Sequence, residues 1–97
     1  MIMAIETVPF DPAEHLGSAE GQAELLADAF ASGNPSYIAN ALGIVARARG
    51  MTAVAKEAGV TREALYKALR PDGDPRLSTL LGVTKALGVK ITAEPAS

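Results

Sequence analysis

Apolar positions along this chain recur with the 3.6-residue period of helices far more than with the two-residue period of strands. The clearest block runs from Met51 to Leu69, MTAVAKEAGVTREALYKAL. In its first half Val54, Ala55 and Ala58 fall on one helical face, while Lys56 and Glu57 point away from it. Gly59 breaks the run, because a corner that needs positive φ strains glycine least. Thr61 then offers a hydroxyl to the free N–H groups of a second helix. That helix carries Leu65 and Leu69 inward at i, i+4, with Val60 at its entry, and leaves Arg62, Glu63, Tyr66 and Lys67 toward solvent. Two short helices joined at Ala58-Gly59-Val60 make the pattern of a helix-turn-helix reader of DNA, with its core at 51–69. A glycine-cornered helical hairpin also occurs in small bundles that bind no DNA, so the pattern gains weight only from its surroundings.

The flanking segments predict further helices. Asp11-Pro12-Ala13-Glu14 has capping-box spacing with proline at the first helical position, predicting a turn or two through Leu16 that Phe10 could staple. Ser18 caps a helix over about Ala19 to Ala31, in which Ala23, Leu26, Ala27 and Phe30 share a face and Glu20, Glu24 and Asp28 form an acidic stripe. Asn34-Pro35 starts the next helix, whose Ile38, Ala41, Leu42 and Val45 follow the repeat of a buried stripe. Gly43 in its middle costs about 1 kcal/mol relative to alanine, so close helix packing is expected there. The turn cluster Pro71-Asp72-Gly73-Asp74-Pro75 supplies a fresh cap and an N1 proline for a last helix at about Arg76 to Leu87, with Leu77, Leu80, Leu81 and Thr84 on its buried side. Gly88 closes it, and Val89-Lys90-Ile91-Thr92 alternates like a short strand that either pairs with its copy in a second subunit or packs as an extended tail. The expected organisation is an N-terminal tail at 1–10, one helix-turn-helix domain at 11–92 and a C-terminal tail at 93–97.

Charge changes the picture. The 97-residue chain has a formal net charge of -2, which argues against a general affinity for nucleic acid. Its distribution is uneven: residues 1–32 hold Glu6, Asp11, Glu14, Glu20, Glu24 and Asp28 with no lysine or arginine. Residues 47–70 hold Arg47, Arg49, Lys56, Arg62, Lys67 and Arg70 against only Glu57 and Glu63. Positive potential is therefore concentrated on the candidate motif, where it would attract phosphates. The acidic third must face elsewhere, as a solvated surface or as a docking face for a cationic partner.

Composition narrows the remaining classes. Phe10, Phe30, Tyr37 and Tyr66 are the only aromatic residues in a chain that is 48% apolar, so the core must be built from alanine, leucine, valine and isoleucine, as in closely packed helices. With no cysteine, disulfides and thiolate metal sites are excluded, in keeping with a cytoplasmic location. The opening MIMAIETVPF lacks the basic start and long apolar run of a secretory signal. Ala29 to Ala46 is uncharged but contains Ser32, Gly33, Asn34, Pro35, Ser36 and Asn40, too polar and broken to span a membrane. One histidine, His15, no glycine-rich phosphate loop and no paired acid and base leave no catalytic constellation, and no metal or cofactor is expected.

The ordered set Pro9-Phe10-Asp11 through Asn34-Pro35, ALGIVARARGM at 41–51, AKEAGVTREALYKAL at 55–69 and PDGDPRLSTLLGVTKALGVK at 71–90 resembles the addiction-module antidote proteins, small Xre-type helix-turn-helix antitoxins akin to the HigA group. The similarity covers roughly residues 8–92. It implies an all-α, five-helix, lambda-repressor-like domain with an N-terminal helical extension and a short C-terminal extended segment. It also implies two tasks: neutralising a RelE-like toxin by direct binding, and repressing the protein's own operon as a homodimer on double-stranded operator DNA. A stand-alone prophage-type regulator without a toxin is the alternative. The resemblance places Thr61, Arg62, Glu63, Tyr66 and Lys67 on the recognition helix and Thr52 at the start of the helix before it. Physical chemistry assigns Arg62 to guanine, Lys67 to a base or phosphate, and the hydroxyls of Thr52, Thr61 and Tyr66 to phosphate oxygens. Glu63 either accepts from cytosine or orients Arg62 and Lys67, while Arg47, Arg49, Lys56 and Arg70 add non-specific attraction. Glu20, Glu24 and Asp28 are the candidate toxin contacts.

Overall fold

A computed structural model describes residues 17–96 and shows, among them, five helices and no strand. Helix α1 (Ala19–Ser32) starts where the Ser18 hydroxyl accepts the Gly21 N–H at 3.0 Å and stops at Gly33. Asn34 caps α2 (Pro35–Arg49) by accepting from the N–H groups of Ser36 at 2.9 Å and Tyr37 at 3.3 Å, with proline in the first turn where its missing N–H costs nothing. Then follow α3 (Met51–Ala58), α4 (Arg62–Ala68) and α5 (Leu77–Ala86). The turn and short helix expected around Asp11 to Leu16, with Phe10 and His15, lie outside the described residues.

Helix α2 contributes the most buried residues of the five helices. Ala39, Ala41, Leu42, Gly43, Val45 and Ala46 are all buried, so it is covered on most sides by its neighbours. Helix α1 lies chiefly on α2, α3 packs on α2 and α4, and α5 packs on α3. Leu42, Val45, Leu65, Leu69, Val83 and Leu87 are the largest side chains wholly removed from water. At about 25 cal/mol per Å² of apolar surface, such burial is the main force joining helices of this length, which would be marginal alone. Close approach at Gly43 is part of the same design: a Cβ there would stand 2.9 Å from the Leu69 carbonyl oxygen.

Two helices turn a different side inward from the one their sequence predicts. In α5, Leu77 is 69% exposed and Leu81 49% exposed, whereas Val83, Thr84 and Leu87 are buried and Leu80 is half-buried. The inward stripe is therefore Leu80, Val83, Thr84 and Leu87, again at i, i+3, i+4, i+7, rotated so that Gly82 can press against Ala58 of α3. The same helix starts later than the turn cluster predicts: Arg76 is its N-cap, so neither Asp74 nor Pro75 opens it. In α1 the buried positions are Gly21, Gln22, Leu26 and Ala29, while Ala23 and Ala27 of the predicted apolar face are exposed. At the other end of α5, the N–H of Gly88 reaches the carbonyl of Lys85 and that of Val89 reaches Thr84, which closes the helix as a Schellman motif. Residues 89–96 form no strand.

Candidate nucleic-acid interface

The bend between α3 and α4 follows from local chemistry. Gly59 has φ +76°, a left-handed conformation that side chains resist, and this turns the chain after only eight residues of α3. The Gly59 N–H bonds to the Lys56 carbonyl at 3.3 Å and the Val60 N–H to the Ala55 carbonyl at 3.0 Å, so two of the orphan carbonyls of α3 are satisfied inside the turn. Half-buried Val60 is held against the core. One residue later, the Thr61 hydroxyl accepts the Ala64 N–H at 3.0 Å and α4 begins. Leu65 is fully buried and Leu69 nearly so, which fixes the roll of α4 about its own axis.

That roll decides what α4 shows to solvent. Arg62, Glu63, Tyr66 and Lys67 are all exposed, as are Thr52 and Lys56 on α3, Thr61 in the turn and Arg70 beyond α4. The Arg62 guanidinium lies 5.5 Å from the centre of the Tyr66 ring and donates to the Tyr66 hydroxyl oxygen at 3.4 Å. This hydrogen bond, joined by charge interaction with Tyr66, raises the Arg62 pKa further, but arginine is ionised at any working pH. A long, exposed contact of this kind holds the side chain over the ring while leaving it able to swing outward. Arg62 and Tyr66, like Glu63 and Lys67, stand four residues apart on one face.

The other cations are divided among structural and surface roles. Arg49 Nε donates at 2.6 Å to the Gln22 side-chain oxygen, which fastens α2 to α1. Gln22 is only 4% exposed, so its amide oxygen has a buried acceptor's need for that donor. The Arg47 guanidinium folds back along α2, 3.2 Å from where a Cβ on Gly43 would sit. Arg70 pairs with Asp72 at 3.5 Å in a solvent-exposed contact, a kind worth at most about 1 kcal/mol. A shallow groove beside α4 brings Lys67 and Arg70 together with Arg76, a cation that helical periodicity did not single out because it stands in the connection to α5.

The acidic stripe of α1 is exposed at Glu20, Glu24 and Asp28. Asp28 accepts a 2.6 Å hydrogen bond from the Tyr37 hydroxyl of α2. That bond to a carboxylate, with some burial and the carboxylate's charge, raises the Tyr37 pKa. The stripe thus includes one residue that also ties α1 to α2. No helix among the described residues is long and apolar enough to cross a membrane.

Residues 6–95 match the family model described as "Probable addiction module antidote protein". An uncharacterised protein of Haemophilus influenzae is 42% identical over 85 residues, which is 88% of this chain and 88% of that protein. No solved structure matches the chain.

Proposed function

The chain belongs to the addiction module antidote family, and on that premise we propose that it is the antitoxin of a type II toxin–antitoxin module. In this reading it neutralises a RelE-like toxin by direct binding and represses its own operon as a DNA-binding dimer of the Xre type, close to the HigA group. The observation that carries the reading is the family match across nearly the whole described chain. The exposed face of α4 supports the DNA-binding half, and the acidic face of α1 supports the toxin-binding half.

The two tasks use different surfaces. A single helix as short as α4 makes too few base contacts for tight specific binding, so two copies present their α4 helices to successive major grooves, about 34 Å apart. Arg62 leaves the Tyr66 ring to donate two hydrogen bonds to guanine O6 and N7, and Lys67 reaches a base or a phosphate. Glu63, four residues before Lys67, positions it or accepts from cytosine. Thr52, Thr61 and Tyr66 donate hydroxyl hydrogens to phosphate oxygens, while Lys56, Arg70, Arg47 and Arg49 contribute charge. Glu20, Glu24 and Asp28 face the toxin, leaving α4 free for DNA.

Co-expression with the product of the neighbouring reading frame tests this function. Growth arrest by that product alone, relieved by this chain with the two proteins copurifying, is the expected result. Growth unaffected by the neighbour, together with specific binding to the upstream DNA, would mark a stand-alone regulator.

A further inference from the structure

The outward side of α1 and the chain that follows α5 enclose a groove of about 630 Å³. Ala23, Ala27 and Phe30 line it from α1, and Val89 and Ile91 from the opposite wall. It thus exposes Ala23 and Ala27 of the apolar face that periodicity identifies on α1, while Leu26 of that face is buried and Phe30 packs against the core. Ile91 stands 40% exposed at the edge of the groove.

The charge beside the groove is mostly negative. Glu20, Glu24 and Asp28 each stand three residues before an alanine of the groove, Ala23, Ala27 and Ala31, so the acidic stripe runs beside the opening along the helix surface. Glu94 stands on the opposite wall, and Lys90 is the only cation in the lining among the described residues. This distribution selects among occupants. A second copy laid across the groove would bring an equally acidic rim with it. Residues 1–16 of the same chain contain Glu6, Asp11 and Glu14 and no lysine or arginine. Nucleic acid and anionic membrane are repelled for the same reason.

We infer that this groove receives a short amphipathic segment of a partner protein, its apolar side chains on Phe30, Val89 and Ile91 and its lysine or arginine residues against the rim carboxylates. The inference rests on the antidote reading and names the seat and chemistry of the contact with the toxin: an apolar floor supplies the burial, and the acidic rim selects a cationic segment over other apolar ones. The acidic stripe then acts as the border of a pocket and not as a flat electrostatic patch.

Ala27 is exposed within the groove, so changing it probes the groove without opening the core. The full chain and its Ala27→Arg and Ala27→Glu variants are titrated with the purified product of the neighbouring gene, and each free protein is also melted and its mass measured in solution. The expected result is unchanged melting and mass, binding weakened at least about tenfold by arginine, and a clearly smaller loss for glutamate, since both substitutions fill the groove but only arginine repels a cationic segment. Wild-type binding with both variants within about twofold of it overturns the groove while leaving the antidote reading intact. Equal large losses for both variants overturn the cationic segment. A change in the free protein's mass assigns the groove to a second copy, and a large drop in melting temperature of both free variants assigns it to the chain's own N-terminal residues; either result overturns the proposal. No binding by the wild type overturns the antidote reading and this seat together.

Discussion

At Gly43 a missing side chain lets two helices meet. Alanine there would gain about 1 kcal/mol in helix propensity, but its methyl would press on the backbone carbonyl of Leu69, which cannot move without shifting the end of α4. Overpacking costs about 1 to 3 kcal/mol, so Gly43→Ala is expected to destabilise the fold by about 1 kcal/mol net. A lowered urea midpoint with an unchanged slope is the predicted result, and a raised midpoint would contradict the close approach. Sequence reasoning reached Gly43 because an unneeded glycine within a helix is conspicuous. It did not reach the bond between Arg49 and Gln22, whose partners are 27 residues apart. Sequence reads Arg49 only as a charge near the end of α2; the Gln22 acceptor adds a structural link between helices to that charge.

Among the elements, α3 and α4 were legible almost residue by residue because their boundaries are written in local chemistry. Gly59 in the left-handed region and Thr61 as N-cap act within three or four residues of themselves, so no distant contact is needed to find them. Removing the cap by Thr61→Ala is expected to cost about 1 kcal/mol of stability, measured by thermal or urea unfolding. A cost near zero would mean that water serves the Ala64 N–H equally well. Helix α5 shows the opposite case. Leu77, Leu80, Leu81 and Thr84 and Leu80, Val83, Thr84 and Leu87 both satisfy the buried-stripe repeat within one short helix. Periodicity cannot choose between them; the fit of Gly82 against Ala58 does. On α1, a polar residue at a buried position concealed the inward face, since Gln22 meets a partner 27 residues away there.

Over the whole molecule, the unequal spread of charge is the feature with the broadest consequence. A formal charge of -2 would make the protein a poor ligand for DNA if it were evenly distributed. Instead the cations gather on and around α3 and α4, while the carboxylates of α1 occupy a helix that packs chiefly on α2. One small fold can then present a cationic edge to DNA and an acidic rim to a protein. The uneven charge is legible in the sequence itself; the groove is not, since its walls come from opposite ends of the described chain. The central claim is that the outer face of α4 reads bases. Its most direct test is to titrate the DNA upstream of the gene, and random duplex of equal length, with the wild type and with Arg62→Ala over a range of salt. The account predicts a loss of about 1 to 3 kcal/mol on the upstream DNA with binding to random duplex little changed, whereas Lys56→Ala weakens both alike and lowers the salt slope by about 1. Equal losses on both DNAs for Arg62→Ala, or no preference for the upstream DNA by the wild type, would contradict it.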